Sequence, residues 1–196
     1  KNDYFLCLFP FIFGFQQFCE GVVWLTWDAQ AGALYYLGQS ATYVFTIFAF
    51  SLWPILFPMI IYFHEATTVL RKTVFLSLAA IGTILGAYHL WCIISSNIKP
   101  YPFEGNLFYD ARKIFEFSHY MLVEYGISTK FIYISVLFLS LFLSKNPRVK
   151  IFSVAVLLSN YVAHYFYART FVSTWCFFAA VLSFLVYFCV GRPLKE

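Results

Sequence analysis

The sequence predicts an all-α fold: a polytopic transmembrane helix bundle that forms a single domain over residues 1–196. Composition is the first reason, because 62% of the residues are hydrophobic and 11% are charged, whereas a soluble domain carries about 25% charged residues. The 26 Phe and 15 Tyr are the second reason. A soluble domain of this length could not bury so much apolar surface, so we expect the lipid bilayer to surround it.

Six apolar windows approach the length of about 20 residues that a helix needs to cross a bilayer. We expect spans over residues 5–26, 38–63, 73–95, 128–144, 151–167 and 172–190. Pro54 and Pro58 predict a kink in the second span, because proline has no N–H for the helix. The chain opens without Met on a charged, loop-like start at Lys1. This start suggests a longer protein in which a seventh span precedes these six.

The basic residues predict the direction of the spans. The short loops 27–37 and 168–171 hold only Arg169, while the loops and ends on the other side hold Lys1, Arg71, Lys72, Lys145, Arg148, Lys150, Arg192 and Lys195. By the positive-inside rule, both ends of this chain are expected to be cytoplasmic. The net charge of +4 thus reflects topology, and no nucleic-acid partner is expected. The five Cys lack a CxxC pair, which argues against a disulfide framework or a zinc knuckle.

The long connection 96–130 is expected on the extracytoplasmic side. Pro100, Pro102 and Gly105 predict an irregular start. From Leu107 to Tyr125, charged residues alternate with apolar ones, which is typical of a helix lying in the membrane interface. Such a helix could simply cap the bundle, or it could act as a lid over a site beneath it.

Polar residues inside the spans mark the candidate site. Gln16, Gln17 and Glu20 lie in the first span, where a carboxylate costs at least about 2.5–3.5 kcal/mol to insert. The rise of about 1.5 Å per residue places Glu20, His89 and His164 at a similar depth in the outer third of the membrane. Gly82 and Gly86 share a stripe with His89, and such small residues allow a neighbouring helix to approach closely.

The sequence therefore predicts a shared outer-leaflet pocket. Its candidate ligand-binding residues are Gln16, Gln17, Glu20, Trp24, Gln39, His89, Trp91, Asn160, His164 and Trp175. Glu20 with the glutamines could instead be a structural hydrogen-bond hub, or Glu20 could carry a proton. His89 and His164 could ligate a b-type haem, or bind a zinc or iron ion with Glu20, and with His119 as a fourth candidate. No HExxH motif supports the metal site.

Three stretches carry a resemblance to a known family. They are residues 13–24, with the pattern Gln-Gln-x-x-Glu-Gly-x-x-Trp, residues 48–54 followed by Pro58 and Glu65, and residues 172–180, with Ser-x-Trp-Cys-Phe-Phe-Ala-Ala. In them the chain resembles an uncharacterised family of bacterial multi-pass membrane proteins of about seven spans. The resemblance implies a location in a bacterial inner membrane, but it does not indicate any particular activity. It implies family motif positions at Gln16, Gln17, Glu20, Trp53, Pro54, Trp175 and Cys176, whereas His89 and His164 lie outside the motifs.

Three functions remain open from the sequence. The leading one is a binding or transport-like protein that holds an amphiphilic small molecule, such as a lipid, quinone or sterol-like compound. Glu20 and the glutamines would engage its polar end, and Trp24, Trp91 and Trp175 would line its apolar part. The second is a non-catalytic accessory subunit, with other membrane subunits as partners. The third is a haem- or metal-dependent membrane enzyme. No catalytic residues can be assigned, and the sequence favours a protein without enzymatic activity.

Overall fold

The computed structural model describes residues 5–65, 67–126 and 128–187. Lys1, Arg192, Lys195 and the last residues of the sixth predicted span lie outside this part. The described chain is all-α apart from one short hairpin. Its helices are α1 (Leu8–Thr26), α2 (Gly32–Thr46), α3 (Trp53–Glu65), α4 (Val69–Ile94), α5 (Arg112–Tyr125), α6 (Thr129–Phe142), α7 (Pro147–Phe166) and α8 (Phe171–Tyr187). A π-helical turn, Ile47–Leu52, joins α2 to α3, and the hairpin strands are β1 (Pro100–Phe103) and β2 (Asn106–Tyr109).

Within the described residues, four helical segments are long and apolar enough to cross a membrane. They are α1, the continuous helix Gly32–Glu65, α4 and α7. The number rises to five if the end of α5 and α6, which meet at a bend of 103°, form one broken span. These helices are those of an integral membrane protein. The prediction of six spans is therefore confirmed only in part. Helix α6, with 14 residues, and helix α8, with 17, are shorter than the four long helical segments.

The helices pack into a closed ring. Helix α1 contacts α2 and α8, α8 contacts α7, α7 contacts α6, and α6 contacts both α3 and α4. Large aromatic side chains fill one part of the centre. Phe13 stacks on Trp53 with ring centroids 3.9 Å apart, and Phe9 meets Phe57 edge-on at 4.9 Å. Such aromatic pairs add about 0.5–1.5 kcal/mol each to the burial of their area.

The π-helical turn lies directly before Pro54, where the sequence predicted a kink. Pro54 has no N–H to donate to the carbonyls of Phe50 and Ala49, which stand four and five residues earlier. Side chains from other helices donate to both oxygens instead. Tyr133 Oη donates to the Ala49 carbonyl over 2.6 Å, and His89 Nδ1 donates to the Phe50 carbonyl over 2.9 Å. The turn therefore anchors α6 and α4 to the middle of the second span.

The small residues of α4 lie where its backbone approaches this same turn. Ser51 Oγ donates to the Gly86 carbonyl over 2.7 Å. A Cβ atom added at Gly86 would overlap with the Ser51 carbonyl oxygen, and one added at Gly82 would overlap with that of Pro54. The close helix approach predicted from Gly82 and Gly86 is confirmed, and it carries His89 into the interior.

The connection between α4 and α5 begins with a hairpin instead of an irregular segment. Strands β1 and β2 pair antiparallel, with Pro100 opposite Tyr109. Glu104 and Gly105 form the turn with φ angles of 48° and 76°, and two positive φ angles characterise the tight turns that match strand twist. Helix α5 then starts at Arg112, so the helix predicted from Leu107 begins later. The reason is the two-residue alternation in β2, which buries Leu107 and Tyr109.

Candidate functional site

A cavity of about 120 Å³ lies between the helices, and we call it the central cavity. Its wall comes from the π-helical turn and from α4, α5, α6, α7 and α8. Apolar atoms form most of the wall, and its lining includes His89, Lys130, Tyr133, Asn160, Trp175 and Cys176. Lys130 is the exposed member of the lining, so it marks the mouth. Ile114 of α5 covers the cavity from the side of the long connection.

Two buried N–H groups on this wall have no hydrogen-bond acceptor among the described residues. They are Nδ2 of Asn160 and Nε1 of Trp175, and each residue is 8% exposed. A buried polar group without a partner costs about 1–3 kcal/mol. Native proteins rarely leave such groups unpaired, and those that do occur are often completed by a bound molecule or an ordered water.

His89 contributes a hydrogen-bond acceptor to the same cavity. A carbonyl oxygen only accepts hydrogen bonds, so the contact with the Phe50 carbonyl assigns a proton to Nδ1 of His89. In the neutral ring, Nε2 is then an acceptor. The central cavity thus combines two unpaired donors with an imidazole that can accept, inside an apolar wall.

A chain of three buried side chains lies directly behind the cavity. Trp53 Nε1 donates to Oε1 of Gln16 over 2.8 Å, and Gln16 Nε2 donates to Sγ of Cys176 over 3.3 Å. Cys176 lines the cavity, while Gln16 is completely buried. The three residues come from the three sequence stretches that carry the family resemblance. Contact between those stretches holds α1, α3 and α8 together next to the cavity wall.

Glu20 has neutral partners in this structure. Tyr109 Oη donates to its Oε1 over 3.3 Å, and the side chains of Ser173 and Gln17 also lie beside the carboxylate. Burial and the neighbouring Glu20 charge raise the pKa of Tyr109 well above its usual value, so its hydroxyl keeps the proton that it donates. The sequence required a partner for Glu20 but did not reveal Tyr109. The sequence held little signal for it, because Leu107, Phe108 and Tyr109 are all apolar or aromatic and show no alternation that would mark Tyr109 as inward-facing.

Three of the ten predicted binding residues line the central cavity: His89, Asn160 and Trp175. Gln16 and Glu20 are buried behind it. Gln17 is partly exposed, and its buried Nε2 makes no hydrogen bond of good geometry in the described part of the chain.

The other four predicted residues lie elsewhere. Trp24 and Trp91 are 38% and 62% exposed and do not belong to the lining of the central cavity. Gln39 donates to the Ile98 carbonyl over 3.1 Å and lines a separate cavity near the start of α2. His164 is exposed, and its Nδ1 lies 3.3 Å from Nζ of Lys130. Lys130, which lies in the lining, escaped prediction because it belongs to the start of α6, where a basic residue normally indicates topology.

The geometry does not fit the haem or metal site considered from the sequence. His89 lines the central cavity, whereas His164 lines a neighbouring one. A volume of about 120 Å³ is also well below the roughly 300–1,000 Å³ of ordinary ligand and cofactor sites. Across the described residues, no three His, Cys, Asp or Glu side chains gather closely enough to hold a metal ion.

Comparison with known proteins identifies the family to which the chain belongs. No curated protein and no solved structure matches the chain. One family model, described as a family of unknown function, DUF6629, matches residues 1–196. That match agrees with the resemblance to an uncharacterised family. Because it covers the whole sequence, this chain belongs to the family of unknown function DUF6629.

Proposed function

We propose that this membrane protein binds an amphiphilic lipid in the central cavity. A carbonyl oxygen of the lipid accepts hydrogen bonds from Asn160 Nδ2 and Trp175 Nε1. The observation that carries the proposal is the pair of buried, unpaired donors on one apolar wall. A carbonyl oxygen has two lone pairs and can accept from both donors.

The size of the cavity limits what enters it. A dry apolar cavity of about 150 Å³ accommodates a benzene molecule, so about 120 Å³ is enough for a compact polar neck and a few carbon atoms. The acyl chain of the lipid then extends into the surrounding bilayer. A ligand hydroxyl would complement Nε2 of His89, which favours an acylglycerol over a plain ketone or ester.

The proposed membrane arrangement has six crossings, with both ends of this chain cytoplasmic and the cavity towards the outer leaflet of a bacterial inner membrane. In this arrangement, helices α6 and α8 are two further crossings in addition to the four longer spans. Their closed packing with the long helices supports the arrangement, because each fills a gap in the ring. In a variant without native Cys, the single substitution Asp28→Cys should react with an impermeant maleimide added from outside. Lys72→Cys and Lys145→Cys should not react.

The binding test compares two lipids that differ by one oxygen. Dodecanoyl glycerol has an ester carbonyl, whereas dodecyl glycerol ether has the same hydroxyls and chain without it. We expect the ester to bind at least about fivefold more tightly, because two neutral hydrogen bonds contribute about 0.5–1.5 kcal/mol each. The indole ¹⁵N–¹H resonance of Trp175 should move downfield with the ester and less with the ether.

Matched variants test whether Asn160 and Trp175 cause the preference for the ester. Trp175→Phe removes one of the two donors and should remove about half of the free-energy preference for the ester, whereas Trp91→Phe, on an exposed site of α4, should leave it intact. Asn160→Leu should act like Trp175→Phe, and Ser159→Ala is its control, because Ser159 bonds within its own helix. Equal binding of ester and ether by the unmodified protein contradicts the proposal. Failure of both lipids to bind contradicts it as well.

A further inference from the structure

A second cavity, of about 100 Å³, adjoins the central cavity. Its wall contains Lys130, His164 and Arg169, and we call it the basic cleft. The two cavities share Lys130, Phe171 and Val172 as lining residues. Since Lys130 is at the mouth of the central cavity, a molecule that occupies the central cavity can extend past Lys130 into the basic cleft.

The described lining of the basic cleft contains cations but no carboxylate to neutralise them. Within the described part of the chain, no acidic side chain forms an ion pair with Lys130 or Arg169. Lys130 Nζ lies 5.1 Å from the centre of the Phe171 ring, and the Arg169 guanidinium lies 5.1 Å from that of Phe103. Aromatic faces attract cations but leave their N–H donors available for an anion.

His164 supplies another donor. The Lys130 ammonium has only donors, so the contact at 3.3 Å requires Nδ1 of His164 to accept. The neutral imidazole then carries its proton on Nε2. The cleft thus combines an ammonium, a guanidinium and an imidazole N–H. Arginine in particular suits phosphate, because its planar group can form two parallel hydrogen bonds with it.

We infer that the basic cleft binds a phosphate group, held beside Lys130, His164 and Arg169, of the same lipid whose carbonyl lies in the central cavity. The inference rests on the proposed function and extends it to a ligand class, the acylglycerol phosphates. The shared wall at Lys130 is a separate observation, since it joins an apolar cavity with unpaired neutral donors to a polar cavity whose described cations have no carboxylate partner. A lipid with a carbonyl and a phosphate can place its carbonyl in the central cavity and its phosphate in the basic cleft.

The test adds one chemical group to the earlier ligand. Dodecanoyl glycerol phosphate should bind the purified protein, in neutral detergent and low salt, at least about tenfold more tightly than dodecanoyl glycerol. Lys130→Gln and Arg169→Gln should each reduce this preference about threefold or more. Lys99→Gln removes an exposed charge near a different cavity and should have no effect. The preference should also shrink at about 1 M salt, because Lys130 is exposed and its field is screened.

Inorganic phosphate tests whether the basic cleft binds free phosphate or only the phosphate of a lipid. If it alone competes with dodecanoyl glycerol phosphate at low millimolar concentration, the cleft takes phosphate from solution as well as from lipid, which supports the anion site. If it does not compete, the attached acyl chain is required, which supports a lipid headgroup. Equal binding of the neutral and phosphorylated lipids overturns this inference and leaves the central cavity standing. Failure of both lipids to bind overturns the inference and the proposed function together.

Discussion

Tyr109 donates a hydrogen bond to Glu20 over 3.3 Å, and this contact ties the hairpin to the middle of the first span. Tyr109 also stacks on Phe45 with ring centroids 4.7 Å apart. The bond gives the buried carboxylate a donor from a segment far away in sequence.

Tyr109→Phe tests this contact. The variant keeps the ring stack but removes a donor from a buried carboxylate, so the free energy of unfolding should fall by about 1–3 kcal/mol. Denaturant titration in detergent measures the change, and hydrogen exchange should increase in residues 100–109. Tyr101→Phe, on the exposed side of β1, is the control and should change neither quantity. An unchanged stability for Tyr109→Phe would show that the carboxylate does not depend on this donor.

The carbonyls left unpaired by Pro54 lead to a double-mutant prediction. Tyr133→Phe removes the donor to the Ala49 carbonyl and should cost about 1–3 kcal/mol in the original chain. Pro54→Ala restores a backbone N–H that can pair with a carbonyl of the π-helical turn. The cost of Tyr133→Phe should therefore be smaller in the Pro54→Ala background. Equal costs in both backgrounds would separate the tyrosine from the proline, and Tyr161→Phe, on an exposed site of α7, should be neutral throughout.

The glycines of α4 should not tolerate a methyl group. Gly82→Ala and Gly86→Ala place Cβ against backbone carbonyls of the second span, which cannot rotate away as a side chain could. Each should lower the free energy of unfolding by about 1–3 kcal/mol or more. Gly14→Ala and Gly21→Ala are matched controls, because a Cβ there meets nothing within 4 Å. Thermal unfolding of the four variants in one detergent decides the matter, and tolerance at Gly82 and Gly86 would contradict the packing.

Glu65 joins the ends of three helices. Its carboxylate accepts from Arg71 Nη2 over 3.0 Å, from Ser144 Oγ and from the backbone N–H of Lys145. Glu65→Gln removes the charge but keeps one acceptor, so it should lower the free energy of unfolding by about 1–2 kcal/mol. The loss should be greatest at low salt. Glu124→Gln, at an exposed position of α5, should be silent, and equal effects of the two variants would exclude a specific role for Glu65.

The sequence was most informative where lipid exposure leaves a strong pattern. Long apolar windows identified the four described helices that are long enough to cross a membrane, and Gly82 with Gly86 indicated the close approach of α4. The site was only partly predictable. His89, Asn160 and Trp175 were identified because polar or amphipathic residues are rare inside spans. Trp24 and Trp91 were expected in the lining, yet they are exposed, because a helical period does not show which stripe of an almost uniformly apolar helix faces inward.

Two features depend on tertiary structure and left little trace in the sequence. Tyr109 reaches Glu20 only because Glu104 and Gly105 fold the preceding residues into a hairpin. Lys130 joins two cavities only because α6 packs between α4 and α7. In both cases the contact bridges residues that are distant along the chain, and a pattern read within one segment does not report such contacts.

A high-resolution density map of the protein purified with its native lipids would show directly whether the central cavity holds a lipid. We expect elongated density in the central cavity, with one atom about 3 Å from both Asn160 Nδ2 and Trp175 Nε1 and a chain that leaves towards the bilayer. Separate water-sized peaks at these two nitrogens, or side chains that close the cavity and pair the donors, would contradict this expectation.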